Sequence, residues 1–161
     1  ETEANVMNEL VYRNLSEDAK RQICAWKYGG EYDLYNLPAY EEMQVRQIGF
    51  MNPQREKNYY GFWDESILVG FVNILEEKEE VFIGIGVNPD LCNKHYGQRM
   101  LLITYEISKK LYPDKPLYLE VRTWNIRAVK CYQKAGFRID GQAYELTTGI
   151  GTGTFYRMIR E

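Results

Sequence analysis

Apolar positions along the chain change period several times, and each change predicts an element. "ELVYRNL" (9–15) alternates as a first strand. Ser16 follows Leu15 and stands three residues before Ala19, which predicts an N-capped helix over "EDAKRQICAWKY". A loop bends at Gly29-Gly30 and at Pro38, and a short helix is predicted through about Ile48. "NYYGFWD" and "ILVGFVNIL" read as two strands joined by the turn Asp64-Glu65-Ser66, a hairpin. "EEKEE" (76–80), read as a solvated turn, leads to a third strand, "VFIGIGVNP" (81–89), which completes an antiparallel meander.

After Pro89 the period lengthens. "GQRMLLITYEISKKL" places Met100, Ile103, Ile107 and Leu111 on one helical face, and Pro113 ends that helix. "PLYLEVRT" is another strand. In "VRTWNIRAVKCYQKAGF" (121–137), Asn125 is placed to cap a helix and Gly136 suits the left-handed residue just past its end. Ala128, Tyr132 and Ala135 recur at i, i+4 and i+7, one inward stripe, so Tyr132 is either a packed aromatic or a phenol set where a reaction needs a proton. "FRIDGQAYEL" and "TGTFYRMIR" close the chain as a pair of strands. Strand 81–89, helix 97–111 and strand 116–122 make a βαβ unit, with parallel strands and a right-handed crossover. The class is α+β (mixed α/β).

A length of 161 residues fits one domain, 1–161, and 45% hydrophobic with 27% charged residues is ordinary for a globular chain. A net charge of −3 gives a nucleic-acid partner no electrostatic support. No apolar run approaches the length of a membrane span, so no membrane partner is expected. Cys24, Cys92 and Cys131 are widely spaced with no C-x-x-C, which points to a reduced, cytoplasmic protein. With His95 as the only histidine, no metal site is expected. The chain opens at Glu1 rather than Met, which reads as a trimmed or processed N-terminus.

Between strand 81–89 and the next helix lies "PDLCNKHYG". Free N–H groups at a helix N-terminus, with the helix dipole, favour a phosphate, and Lys94 and Arg99 add positive charge. Taken alone, a strand, loop and helix of this kind is more often plain connection. No G-x-G-x-x-G and no G-K-[ST] is present.

The two segments together resemble the GNAT superfamily of N-acetyltransferases. The N-x-x-A-x-x-x-Y-x-x-x-G-F motif of that family is met by Asn125, Ala128, Tyr132, Gly136 and Phe137, after the strand "LYLEV". Its V-x-P and [QR]-x-x-G-x-[GA]-x-x-L motifs are met by Val87, Pro89 and "CNKHYGQRML", with Cys92 where Gln or Arg is usual and His95 where the first Gly is usual. The resemblance implies a GNAT-like acyl-CoA N-acyltransferase fold: a central, mostly antiparallel twisted sheet, one parallel βαβ unit and helices on both faces. Residues 1–57 correspond to the variable acceptor-side region and 58–161 to the acetyl-CoA-binding core.

The function implied is transfer of an acetyl group from acetyl-CoA to a primary amine, on a small molecule or a protein N-terminus, through a tetrahedral intermediate. The alternative is a non-catalytic acyl-CoA-binding or sensor module. The resemblance places acetyl-CoA against Ile85, Val87, Asn93, Lys94, His95, Tyr96, Gly97, Gln98, Arg99, Asn125 and Tyr132. Gly84 and Gly86 are read as a bulge that frees backbone groups for the pantetheine, and Tyr132 is the expected acid for the departing thiolate. An amine with a pKa of about 10.4 must lose a proton before it attacks. Glu120 and Glu80 are the candidate bases, and a structural ion pair is an equal reading of Glu120. Glu31, Asp33, Glu41 and Glu42 suit a cationic acceptor, whose identity stays open, as does a homodimer.

Overall fold

The computed structural model describes residues 9–161. The N-terminal processing expected from Glu1 lies outside the described residues. Strand β1 (Val11–Asn14) precedes helix α1 (Glu17–Ala25), which the Ser16 side chain caps by accepting from the Ala19 N–H. A 3-10 turn over Gly30–Tyr35 leads to α2 (Tyr40–Arg46). Next come β2 (Tyr59–Asp64) and β3 (Ile67–Glu76), then β4 (Val81–Val87), α3 (Tyr96–Leu111), β5 (Leu117–Arg122) and α4 (Ile126–Lys134). The last elements are β6 (Arg138–Ile139), β7 (Tyr144–Thr148) and β8 (Gly151–Arg160). The strand order is β1-β2-β3-β4-β5-β8-β6, with β7 paired to β8. This is the expected mixed fold, a mostly antiparallel sheet with one parallel βαβ unit and flanking helices.

The chain forms two compact units. The first runs to Asn73 and includes Ile85–Tyr96; the second comprises Ile74–Gly84 and Gly97–Glu161. The core of the first is built by Leu15, Ala19, Ile23, Cys24, Tyr40, Met43, Phe50, Trp63 and Leu68. Lys20 is buried beside it, held by Glu17 at 3.0 Å and Glu56 at 2.5 Å. Burial disfavours its charge, but the two carboxylates prevail and raise its pKa.

The second unit buries Leu117, Leu119 and Val121 on one face of β5, along with Met100, Leu101, Val129, Phe137 and Met158. Two helical faces differ from expectation. In α3 the buried positions are Met100, Leu101, Thr104, Ile107 and Ser108, while Leu111 is exposed, so the stripe is rotated toward small polar residues. In α4 Val129 is the buried residue; of the expected stripe, Ala135 just past the helix is fully buried, whereas Ala128 and Tyr132 are only half-buried. Small and apolar side chains define the inner faces at both sites, and simple apolar periodicity missed the Thr and Ser. Cys24, Cys92 and Cys131 form no disulfide among the described residues.

Candidate active site

In the first unit, the chain after β4 is held by Asn88. Its N–H donates to the Val69 carbonyl at 2.8 Å, and its side chain donates to Leu68 O at 3.1 Å and accepts from the Asp90 N–H at 2.9 Å. Asn93 (φ 70°) and His95 (φ 67°) both adopt the left-handed conformation. That explains why Gly is the usual residue at the His95 position of the motif: only there is such a backbone free of Cβ strain. Asn93, Lys94 and His95 are exposed, and α3 begins immediately after them. The Tyr96 hydroxyl donates to Asp64 at 2.5 Å, which ties the start of that helix to the β2–β3 turn.

Gly86 is also constrained by packing. A Cβ there would lie 2.4 Å from the Phe71 ring, so glycine lets that ring seat on β4. The Val87 carbonyl accepts a hydrogen bond from the Tyr28 hydroxyl at 2.6 Å.

In the second unit, β4 and β5 pair in parallel only at Val81↔Leu117 and Phe82↔Tyr118, whereas β5 continues along β8 to Arg122. Past Tyr118 the β5 edge toward β4 therefore carries backbone groups outside the ladder, the kind of edge an extended ligand can use. Tyr118, Glu120 and Arg122 share the face opposite the buried Leu119 and Val121. Their cross-strand neighbours Ile159, Arg157 and Phe155 lie on that same face.

Two carboxylates on this face are differently engaged. Glu80 accepts from Arg157 at 2.5 and 3.2 Å, a two-pronged ion pair, and Arg157 also donates to Asp140 at 3.1 Å. The hydrogen bonds that Arg157 donates to Glu80 raise its pKa further, outweighing its burial, with Asp140 adding to the effect. Glu80 thus does not stand in solvent as expected; it is a half-buried ion-pair partner. Glu120 accepts the Tyr144 hydroxyl at 2.9 Å and has no ion pair among the described residues, so the ion-pair reading of Glu120 does not hold. Burial, then this bond, pushes the Tyr144 phenol above its ordinary pKa. Tyr118 is raised likewise, by burial and then by donating to Glu77 at 2.9 Å.

At the end of β5 the Asn125 N–H donates to the Arg122 carbonyl at 3.0 Å. The Asn125 side chain accepts from Ala128 N at 3.2 Å, the predicted cap. Gly136 takes φ 98° just past the helix end, as expected. Tyr132, half-buried, follows Asn125 by seven residues, nearly two turns, so both lie toward one side of α4. Gly97, Gln98 and Arg99 open the part of α3 in this unit, and the Gln98 side chain reaches the Lys134 carbonyl at 3.5 Å. Tyr28, Tyr144 and Arg157 are the site neighbours that the sequence reading missed. Their roles depend on strand register, and only the alternation of 118, 120 and 122 hinted at the face they join.

A model of the acetyltransferase (GNAT) family matches residues 13–137. The chain belongs to that family. Among curated proteins no sequence matches at a significant level. Among solved structures, a GNAT-family acetyltransferase from Bacillus anthracis superposes with a TM-score of 0.76 at 18% identity, over 94% of both chains. A GNAT-family acetyltransferase from Streptococcus pneumoniae gives 0.67 at 22% identity, over 94% of this chain and 98% of that one. The spermidine/spermine N-acetyltransferase SpeG from Vibrio cholerae gives 0.71 at 19% identity, over 95% and 93%. These likenesses show a shared fold. Family membership makes acetyl-CoA-dependent acetyl transfer the general chemistry of the chain, with acetyl-CoA as donor.

Proposed function

We propose that this protein is an N-acetyltransferase that moves the acetyl group of acetyl-CoA to a primary amine. The observation that carries the reading is Glu120, a carboxylate outside any ion pair among the described residues and oriented by the Tyr144 hydroxyl. It is set one strand-step from Arg122, whose carbonyl anchors the capped helix that bears Tyr132. The reading takes the whole chain as one catalytic domain, with residues 1–57 serving the acceptor and 58–161 the donor.

The residues present fit the donor. The N-terminus of α3 and the left-handed turns at Asn93 and His95 offer backbone N–H groups to a pyrophosphate, with Lys94 and Arg99 adding charge. The β5 edge left outside the ladder past Tyr118 suits an extended pantetheine arm, with Asn125 just beyond the end of that strand. Glu120, directly or through a water, takes the proton of the attacking ammonium. The amine nitrogen then bonds the acetyl carbon, and a backbone N–H donor stabilises the oxyanion. As the carbon–sulfur bond breaks, the Tyr132 hydroxyl gives its proton to the thiolate, and the second proton lost by the nitrogen returns through solvent to the phenolate. Glu80 is the weaker candidate base, because both of its oxygens are already engaged by the Arg157 guanidinium.

The test is turnover of acetyl-CoA with a panel of amines, read as free thiol released. The expected result is amine-dependent release that falls at least about a hundredfold in Glu120→Gln. Saturable CoA binding with no release for any amine supports the sensor module instead, a reading favoured by the strained His95 in the phosphate turn.

A further inference from the structure

Arg122 is an unusual cation. It is only 9% exposed, yet among the described residues it has no hydrogen bond from its side chain and no ion pair. Lys20, which is also buried, has two carboxylates, and so does the half-buried Arg157. Buried arginines are seldom left unpaired, because the charge gives up water without a replacement. The guanidinium has instead been given a seat. It lies over the Phe155 ring, 4.7 Å from its centroid, and against the bare backbone of Gly153, where a Cβ would come within 2.1 Å of Nη1. Stacking on an aromatic holds the plane of the fork while leaving its N–H edge to another partner.

The missing partner is an anion, and the strand tells where it must be. Arg122 and Glu120 are two residues apart on one face of β5, about 6.6 Å along the strand. A molecule whose ammonium is met by Glu120 therefore has Arg122 within reach of a carboxylate a few bonds away. We propose that Arg122 binds a carboxylate of the acceptor, so that the amines this protein acetylates carry an acid group close to the reacting nitrogen. Free amino acids and peptides beginning with an acidic residue share this chemistry. Simple polyamines do not: they would bring further positive charge toward an unneutralised guanidinium. The inference rests on the acetyltransferase reading and narrows its acceptor.

Matched acceptors test it. The kcat/KM ratios of ornithine to putrescine and of phenylalanine to phenethylamine isolate the carboxylate on one skeleton, and peptides starting with Asp or Asn isolate it at a chain terminus. The carboxylated member of at least one set is expected to be preferred by about tenfold or more, as a charge-assisted two-pronged contact allows. The favoured set identifies the source. Arg122→Gln should bring that ratio close to one. Gly153→Ala keeps the arginine but pushes its guanidinium off the seat, and should lower the ratio too, which guards against misfolding of the first variant. Ratios near one in the wild type, or unchanged in both folded variants, overturn the inference and leave the acetyltransferase reading intact. If no amine is turned over, calorimetry with ornithine in the presence of CoA decides separately. Binding lost in Arg122→Gln retains the carboxylate site while removing the catalytic reading, and no binding removes both.

Discussion

The Tyr144 hydroxyl donates to Glu120 Oε2 at 2.9 Å, across a strand that separates them. Phe155 of β8 pairs with Arg122 of β5 on one side and with Tyr144 of β7 on the other, so the phenol reaches over β8 to the neighbouring residue on β5. A base needs a fixed direction as much as a proton affinity, and this bond supplies it. Tyr144→Phe should lower kcat/KM several-fold while keeping the fold. Steady-state kcat/KM and melting temperature measured on the variant check this, and an unchanged kcat/KM removes Tyr144 from the mechanism.

Both raised phenols also predict how stability responds to base. Tyr118 and Tyr144 hold their protons more tightly folded than unfolded, through burial first and then through Glu77 and Glu120. The folded state therefore gains stability that is fully present below the unfolded tyrosine pKa of about 10 and is lost as pH rises above it. Urea midpoints measured from pH 8 to 12 should fall with pH. The fall should be shallower in the Tyr118→Phe, Tyr144→Phe double variant, and identical slopes would count against these phenols as its source.

Most of the order of elements was legible because each rests on local chemistry: Ser16 and Asn125 cap where they were expected to, and most strand boundaries differ by only a residue or two, whereas "FRIDGQAYEL", expected as one strand, divides into β6 and β7. The loop and the Asn125–Tyr132 spacing could be read as motifs for the same reason. What escaped was set by register. Nothing near Glu80 in the sequence announces Arg157, 77 residues away, and nothing near Glu120 announces Tyr144. Both pairs exist because β8 lies beside β5 and also carries β7. The two glycines of β4 were ambiguous for a related reason, since the Phe71 ring that requires Gly86 comes from a different strand.

His95 departs from the family motif at a residue with φ 67°. A side chain held there costs about 1 kcal/mol relative to glycine, partly offset by the greater freedom glycine has when unfolded. His95→Gly should therefore stabilise the protein by up to about 1 kcal/mol and tighten CoA binding, because the pyrophosphate can then approach bare backbone. Thermal melts and a calorimetric CoA titration measure both. Weaker binding in the variant would mean that the imidazole itself contacts the phosphates.

Tyr132 can be separated from its helix by comparison with its neighbour. Val129 is the buried residue of α4, at 8% exposure, whereas Tyr132 is half-buried. Val129→Ala should cost about 1–3 kcal/mol of stability through lost burial and the cavity left behind, with little change in kcat for folded enzyme. Tyr132→Phe removes one oxygen and keeps the ring, so its stability cost should not exceed about 1 kcal/mol even with the loss of a hydrogen bond. Its effect belongs in turnover. A thiolate leaving without a proton donor is a poorer leaving group, and kcat should drop about a hundredfold while CoA affinity holds. Measuring kcat, CoA affinity and melting temperature on both variants gives opposite signatures if the phenol is the acid: stability lost in one, turnover lost in the other. If chemistry limits the rate and Tyr132→Phe keeps its kcat, the proton for the thiolate comes from elsewhere.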